Sequence, residues 1–404
     1  MGEMESPQAK MQEATYVRAA LPAVDAFPVT AWLIAAASFI IKCALALFTF
    51  GTMDVLTFRA DVEKISSRGA SALYLEGVHY VYKGRDLGLQ VFSHPPSMIH
   101  ILGLWHYLEQ LTGLPLQFWM RITDAIADVI LLALLLKIGQ RVGGIQLSAR
   151  TILLVASCPI SILISGFHGN TDPIMTVFVV AAIYYMETGR EKSAALCFGL
   201  ALCIKIVPLI FGIAFLLRMK SAKQRVWFIA VASAVFFLGG LPYFIADGRA
   251  VVQGLTAYRG QPWILSDLMG MVGITAPVHA GIFLLSVVCL SIWMSRRANL
   301  FAQIGVIVFA FLTFAPGFAL QYFAWGVPFI IYLGWKFTAA YYAAAGAFLL
   351  AVYKVWYDAL TLYHGTRLVF ENAPLGSPLF MITWIVTLTA TMGFIQRSHS
   401  TSRV

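Results

Sequence analysis

Residues 29–65 read VTAWLIAAASFIIKCALALFTFGTMDVLTFRADVEKI. The first part, 29–51, contains one charged residue, Lys42, and is long enough to cross a bilayer, which takes about 20 mostly apolar residues as a helix. The chain then turns polar, and Asp54 stands where it leaves the membrane. A charge at that depth is costly without a purpose. Asp61 and Glu63 follow, and the spacing Asp54–Phe58–Asp61 places the two aspartates two turns apart on one helical face. Asp61 and Glu63 read as solvated loop acids, whereas the position of Asp54 marks it as functional.

The rest of the chain fits the same reading. Of its 404 residues 60% are apolar and only 12% charged, with a net charge of +9. A soluble domain carries roughly 25% charge. Further apolar runs cover 117–138, 151–166, 172–187, 225–245, 277–295, 300–316, 321–336, 338–356 and 379–396. The stretch 194–218 holds Lys205 and Pro208 in its middle, which predicts two short helices forming a hairpin rather than one span. The expected fold is therefore an all-α polytopic membrane bundle. Residues 1–28 form a cytoplasmic N-terminal segment without signal-peptide character, 29–396 one integral membrane domain, and 397–404 a cytoplasmic tail. With the N-terminus inside, sixteen of the 28 basic residues fall on the cytoplasmic side, ten outside, and Lys42 and Lys205 in the membrane. The five cysteines sit in apolar runs without metal-ligand spacing and read as small core residues.

The long outer loop, 52–116, is the one connection much longer than the others, and long ordered loops tend to be functional. It includes "SHPPSM", in which the prolines hold His94 extended, and a predicted interfacial amphipathic helix over 95–112. Other outer ends gather polar groups. "FHGNTDP" supplies His168, Asn170 and Asp172, where Asp172 before Pro173 also has the look of a plain helix cap. The loop "LTAYRGQPWILSD" supplies Tyr258 and Arg259, "APGFALQYFAWGVP" supplies Gln321 and Tyr322, and "YDALTLYHGTRLVFEN" supplies Arg367. Polar groups converging on one leaflet from separate segments predict a site at the outer membrane surface, which Lys205 at the hairpin tip can reach.

Phosphate-binding glycine loops, HExxH zinc patterns and nucleophile elbows are missing, and no soluble domain exists to bind nucleic acid. A site without a nucleotide pocket suits a substrate already in the membrane. A carboxylate beside cations and aromatics suits glycosyl transfer from a lipid phosphate, with the acid as general base and the cations on the departing phosphate. A carrier or flippase for a lipid-linked sugar is the competing class, with Lys42 and Lys205 as pathway residues. It predicts polar groups in both leaflets.

The order of these motifs resembles the GT-C glycosyltransferases, and within them the polyprenol-phosphate-mannose-dependent group. "TMDVLTF" matches the family's acid after the first span, "SHPPSM" its His-Pro-Pro element, "FHGNTDP" its polar turn ending in an acid, "LCIKIVP" its Lys-Pro helix break and "APGFALQYFAWGVP" its late aromatic element, over residues 30–335. Relatives often carry histidine in the last element, where this chain has Gln321-Tyr322. The resemblance implies a bundle of roughly 11–13 transmembrane helices with outer juxtamembrane helices in the first long loop. It implies inverting transfer of a hexose, mannose favoured, from a polyprenyl-phosphate donor to a lipid or glycan acceptor. Asp54 would be the base, and His94, His168, Lys205, Arg259 and Arg367 would hold the phosphate or the sugar. The setting it implies is a bacterial inner membrane, among membrane lipids, with the site facing away from the cytoplasm. Some members use a divalent metal at outer-loop acids. No acid pair here calls for one, and no cofactor is expected.

Overall fold

A computed structural model describes residues 27–82, 85–142, 145, 147–257, 260–262, 264–356 and 378–401. The first span is helix α1, Phe27–Phe48. Thr52 then caps α2, Met53–Arg68. Its backbone is extended and its side chain accepts the Asp54 N–H at 3.3 Å. This satisfies one of the N–H groups that every helix start leaves unpaired. A short helix α3, Ala72–Leu75, leads to an antiparallel hairpin of β1, Val78–Tyr82, and β2, Arg85–Gln90. The sequence reading did not foresee that hairpin. The Lys83-Gly84 turn between the two strands lies outside the described residues.

The helix expected over 95–112 is present as α4, Ser97–Thr112. It buries Met98, Ile99, Leu102 and Trp105 and leaves Leu104, Tyr107 and Leu111 exposed. The alternation of buried and exposed apolar groups follows the helical period and leaves one apolar face toward the surroundings of the bundle. Helix α5, Leu116–Arg141, is longer than expected and carries Arg121, Asp124 and Asp128 along one side. The run 151–166 is broken into α6, Ala149–Ala156, and α7, Pro159–Leu163. A π turn over Ile164–His168 then ends at Gly169 in a left-handed conformation (φ +76°). Glycine takes that conformation without the steric cost a side chain would meet.

Helices α8, Asp172–Glu187, and α9, Glu191–Ile204, pack against each other and run in opposite directions. The predicted break is found where expected: α9 ends at extended Lys205, a 3₁₀ turn covers Val207–Phe211 with Pro208 in its first turn, and α10, Gly212–Arg218, runs back. Helix α11, Ala222–Ala257, contains a non-helical Asp247. After β3, Gln261–Pro262, and α12, Ile264–Met271, come α13, Ala276–Ser295, and α14, Leu300–Phe314. Strand β4, Gly317–Phe318, pairs with β3 and leads through a turn at Leu320–Tyr322 into α15, Phe323–Phe329. Helices α16, Trp335–Trp356, and α17, Pro378–Thr401, complete the bundle.

The chain is thus an all-α polytopic membrane bundle apart from two small ribbons. Among the described residues five helical segments are long and apolar enough to cross a membrane by length and composition: Val29–Phe48, Ala149–His168, Ala222–Ala257, Ala276–Ser295 and Pro378–Ser398. Shorter apolar helical segments cover Val207–Arg218, Leu300–Phe314 and Leu320–Leu333. Exposed apolar side chains such as Leu238 and Ile245 on α11 and Leu285 on α13 belong on a lipid-facing surface.

Candidate functional site

Two loops and three helices converge on Asp54. Its Oδ2 accepts hydrogen bonds from the Asn170 amide and, at 3.1 Å, from His168 Nε2. The other ring nitrogen, His168 Nδ1, is 2.8 Å from the Tyr353 hydroxyl on α16. A proton on Nε2 satisfies Asp54, and Nδ1 meets the Tyr353 hydroxyl, so both ring nitrogens have partners. Asp54 Oδ1 makes no hydrogen bond among the described residues, and the side chain keeps 31% exposure. One carboxylate oxygen is therefore clamped and the other is open.

The clamp depends on how the two loops are held. The Thr52 hydroxyl donates to the His168 carbonyl at 2.8 Å, and the Asn170 side-chain oxygen accepts the Thr171 N–H at 2.7 Å. Arg121 of α5, fully buried, donates to the Thr49 carbonyl and hydroxyl, each at 3.0 Å, and to the Phe50 carbonyl. Gly51, with φ +100°, packs directly on its guanidinium, and Gly169 faces its Nε. The π turn before Gly169 brings His168 round to Asp54, a use of π-helical geometry common at functional sites.

Asp172 forms a second centre. The structure corrects the capping reading, since Thr171 occupies the cap position and Asp172 is the first helical residue. Its fully buried carboxylate accepts from Lys205 Nζ at 2.6 Å and from Trp325 Nε1 at 2.5 Å. Burying a carboxylate is tolerable only when it is paired and hydrogen-bonded. Lys205 is close enough for its charge to act on Asp54 and on His94 as well. His94 lies between Phe58 and Phe92, with ring centroids 5.2 and 5.5 Å away. Burial, with the Lys205 charge added, pulls its imidazole down to about 3, so it is neutral at physiological pH. For Asp54 burial would raise the carboxyl, but the His168 hydrogen bond and charge, Asn170 and Lys205 outweigh it. They hold it below the ordinary carboxylate range.

The late aromatic element joins through Trp325. Tyr322 stacks on it with centroids 4.3 Å apart, and Gln321 and Tyr322 are both buried. The β3–β4 ribbon pairs Gln261 with Phe318 and so draws the 260–262 segment to this element. The structure brings together Asp54, His94, His168, Asn170, Asp172 and Lys205, with Gln321 and Tyr322 behind them. Tyr258, Arg259 and Arg367 lie outside the described residues.

Asp61 is a correction. It is 1% exposed on the inner face of α2 and is not a solvated loop acid. Arg121 and Tyr353 were missed, because each lies inside an apolar run with no motif around it. Lys42 Nζ is 2.7 Å from both Asp128 and Ser161, an internal ion pair between α1 and α5. Among the described residues no group of three His, Cys, Asp or Glu side chains is placed to hold a metal ion.

Comparison with known proteins bears on the fold and on part of the chain. Residues 92–259 match the model of glycosyltransferase family 87. Over 181 residues the chain is 25% identical to the catalytic subunit of GPI alpha-1,4-mannosyltransferase I of Danio rerio, covering 42% of this chain and 44% of that protein. The chain therefore aligns with less than half the length of that relative. Two crystal structures of ArnT from Cupriavidus metallidurans share the fold. The form bound to undecaprenyl phosphate superposes with a TM-score of 0.50 at 12% identity, over 94% of this chain and 78% of that one. The apo form gives 0.52 at 13% identity, over 92% and 77%. The chain therefore shares the fold of these ArnT structures, and its residues 92–259 resemble glycosyltransferase family 87.

Proposed function

We propose that the protein is an inverting glycosyltransferase. It moves a hexose, mannose favoured, from a polyprenyl-phosphate sugar to a lipid-linked or glycan acceptor on the membrane face turned away from the cytoplasm of a bacterial inner membrane. The observation that carries the reading is the half-clamped carboxylate of Asp54. Oδ2 is fixed by His168 and Asn170, and Oδ1 is open. In the reaction Oδ1 takes the proton of the acceptor hydroxyl as its oxygen bonds to C1 of the sugar. The bond from C1 to the phosphate oxygen breaks, and polyprenyl phosphate leaves with the electron pair. General-base help of this kind contributes about 10²–10⁴-fold.

Lys205, whose charge acts on Asp54, is a cation that can also meet a phosphate. One of its N–H groups is bound to Asp172, and an ammonium has three. His94 is neutral, so it offers a hydrogen bond rather than a charge, and the flanking Phe58 and Phe92 shape an apolar wall. The undecaprenyl phosphate in the ArnT structure supports a polyprenyl-phosphate donor, and the zebrafish relative supports mannose.

The test is direct transfer by purified protein in lipid. Polyprenyl-phosphate mannose should be consumed and polyprenyl phosphate released in step with glycosylation of an added lipid acceptor, with the new bond of opposite anomeric configuration to the donor. Activity from a nucleotide sugar, with the polyprenyl-phosphate donors inert, would overturn the reading.

A further inference from the structure

A cavity of about 350 Å³ opens at the end of the bundle opposite Asp54, between the starts of α9 and α11. Helix α8 has 16 residues and so separates Asp172 from this end by about 24 Å at 1.5 Å per residue, close to the thickness of a hydrocarbon core. The cavity is lined by Lys192, Lys223 and Trp227 above an apolar floor that includes Phe228 and Val231.

Its polar frame is built and largely satisfied from within. Gln224 donates to Glu191 at 2.8 Å, and its carbonyl oxygen accepts the N–H groups of Lys220 and Ser221, both at 3.0 Å. The one acid in the lining is therefore occupied by an amide. Lys192, Lys220 and Lys223 make no ion pair among the described residues, and the Lys192 ammonium lies 6.0 Å from the Trp227 ring centre. Beside the cavity, Val226, Trp227, Ile229 and Leu196 expose 65%, 54%, 50% and 46% of their surface, an apolar strip running from the rim along the bundle.

With Lys192 and Lys223 in the lining, Lys220 beside it and Glu191 as the one carboxylate, the pocket carries a positive excess, which suits an anion. The tryptophan and the adjoining apolar strip call for one attached to hydrocarbon. A soluble phosphate would gain nothing from that strip, whereas a lipid fills both parts, and basic pockets between membrane helices are suited to anionic head groups. We propose that this pocket binds the head group of an anionic phospholipid, with Lys192 and Lys223 on its phosphate and its acyl chains along Val226, Ile229 and Leu196. The site is separate from the transfer centre and does not depend on the function assigned to Asp54.

The test is native mass spectrometry and thermal unfolding of the full chain in neutral detergent with added phosphatidylglycerol, phosphatidylcholine or inorganic phosphate. One lysine beside an anionic lipid is worth about five-fold in binding. Lys192→Gln and Lys223→Gln should each cut the preference for phosphatidylglycerol over phosphatidylcholine by about that factor, and the double variant by about 30-fold. Lys336→Gln, at the same end but outside the cavity, should leave it unchanged. Both lysines are exposed and neither is paired to an acid, so the variants are expected to fold, with the unfolding midpoint without lipid as the check. A double variant that keeps the full preference, an equal loss in Lys336→Gln, or equal stabilisation by inorganic phosphate would each overturn the proposal.

Discussion

Replacing Asp54 with asparagine isolates the proposed base from everything else the residue does. The side chain keeps its size. Its single carbonyl oxygen can occupy the place of Oδ2, where His168 and Asn170 both donate, which turns the amide nitrogen toward the open side. That nitrogen can donate to an acceptor sugar but cannot take its proton. Hydrogen bonds to a charged group are worth about 1.5–3 kcal/mol and neutral ones about 0.5–1.5, so each clamp bond weakens by about 1 kcal/mol. Relief from holding a buried charge offsets this, and the 31% exposure of the side chain lowers both amounts. The net change in stability is expected to stay within about 1 kcal/mol. Loss of general-base help, by contrast, raises the barrier by about 2.7–5.5 kcal/mol, a fall of about 10²–10⁴ in kcat. The assay is steady-state transfer from a polyprenyl-phosphate sugar by purified Asp54→Asn, with donor affinity and unfolding midpoint measured on the same preparation. Turnover within three-fold of the parent would refute the base, and a joint fall of turnover, donor binding and stability would make Asp54 a structural residue.

Three other expectations follow from the same geometry. The depressed Asp54 carboxyl keeps its base form into acid, so kcat/KM should fall only as pH drops below the ordinary carboxylate range. Asn170→Ala removes one lowering contact, so that acid limb should move to higher pH, and an unmoved limb would separate Asn170 from the base. Because the folded value lies below the unfolded one, the group also stabilises the fold at pH above the usual carboxylate value, and that contribution is lost as pH falls through the depressed one. Lys205→Ala alone would strand a fully buried Asp172, at about 3–5 kcal/mol, so the clean test is Lys205→Met with Asp172→Asn. That pair should fold yet bind donor roughly 10- to 150-fold more weakly, and unchanged affinity would take Lys205 off the phosphate. Finally, single cysteines at the exposed positions Glu63 and Lys220 should react with an impermeant reagent from opposite sides of the membrane, and labelling from one side would overturn the topology.

The sequence by itself determined the membrane class, the break at Lys205 and Pro208, the helix after His94 and the placing of Asp54 just past the end of the first span. Each is written in local signals: apolar runs of membrane length, a proline that cannot continue a helix, an acid where a charge is costly. His168, Asn170 and Asp172 were legible together because they share one short turn. What only the tertiary structure decided is which of these groups touch. Asp61 follows the same helical face as Asp54, yet it is buried, because sequence spacing sets a face and not what covers it. Asp172 had the sequence of a cap and became the partner of Lys205 and Trp325, 33 and 153 residues away. Arg121 and Tyr353 could not be found along the chain at all. One hydrogen-bonds a loop 71 residues earlier and the other a histidine 185 residues earlier, and a contact between distant segments leaves no periodicity in either. The open oxygen of Asp54 is a property of that packing: the aspartate was written in the sequence, while the direction of its two donors was set when the loops at Thr52 and His168 were drawn together.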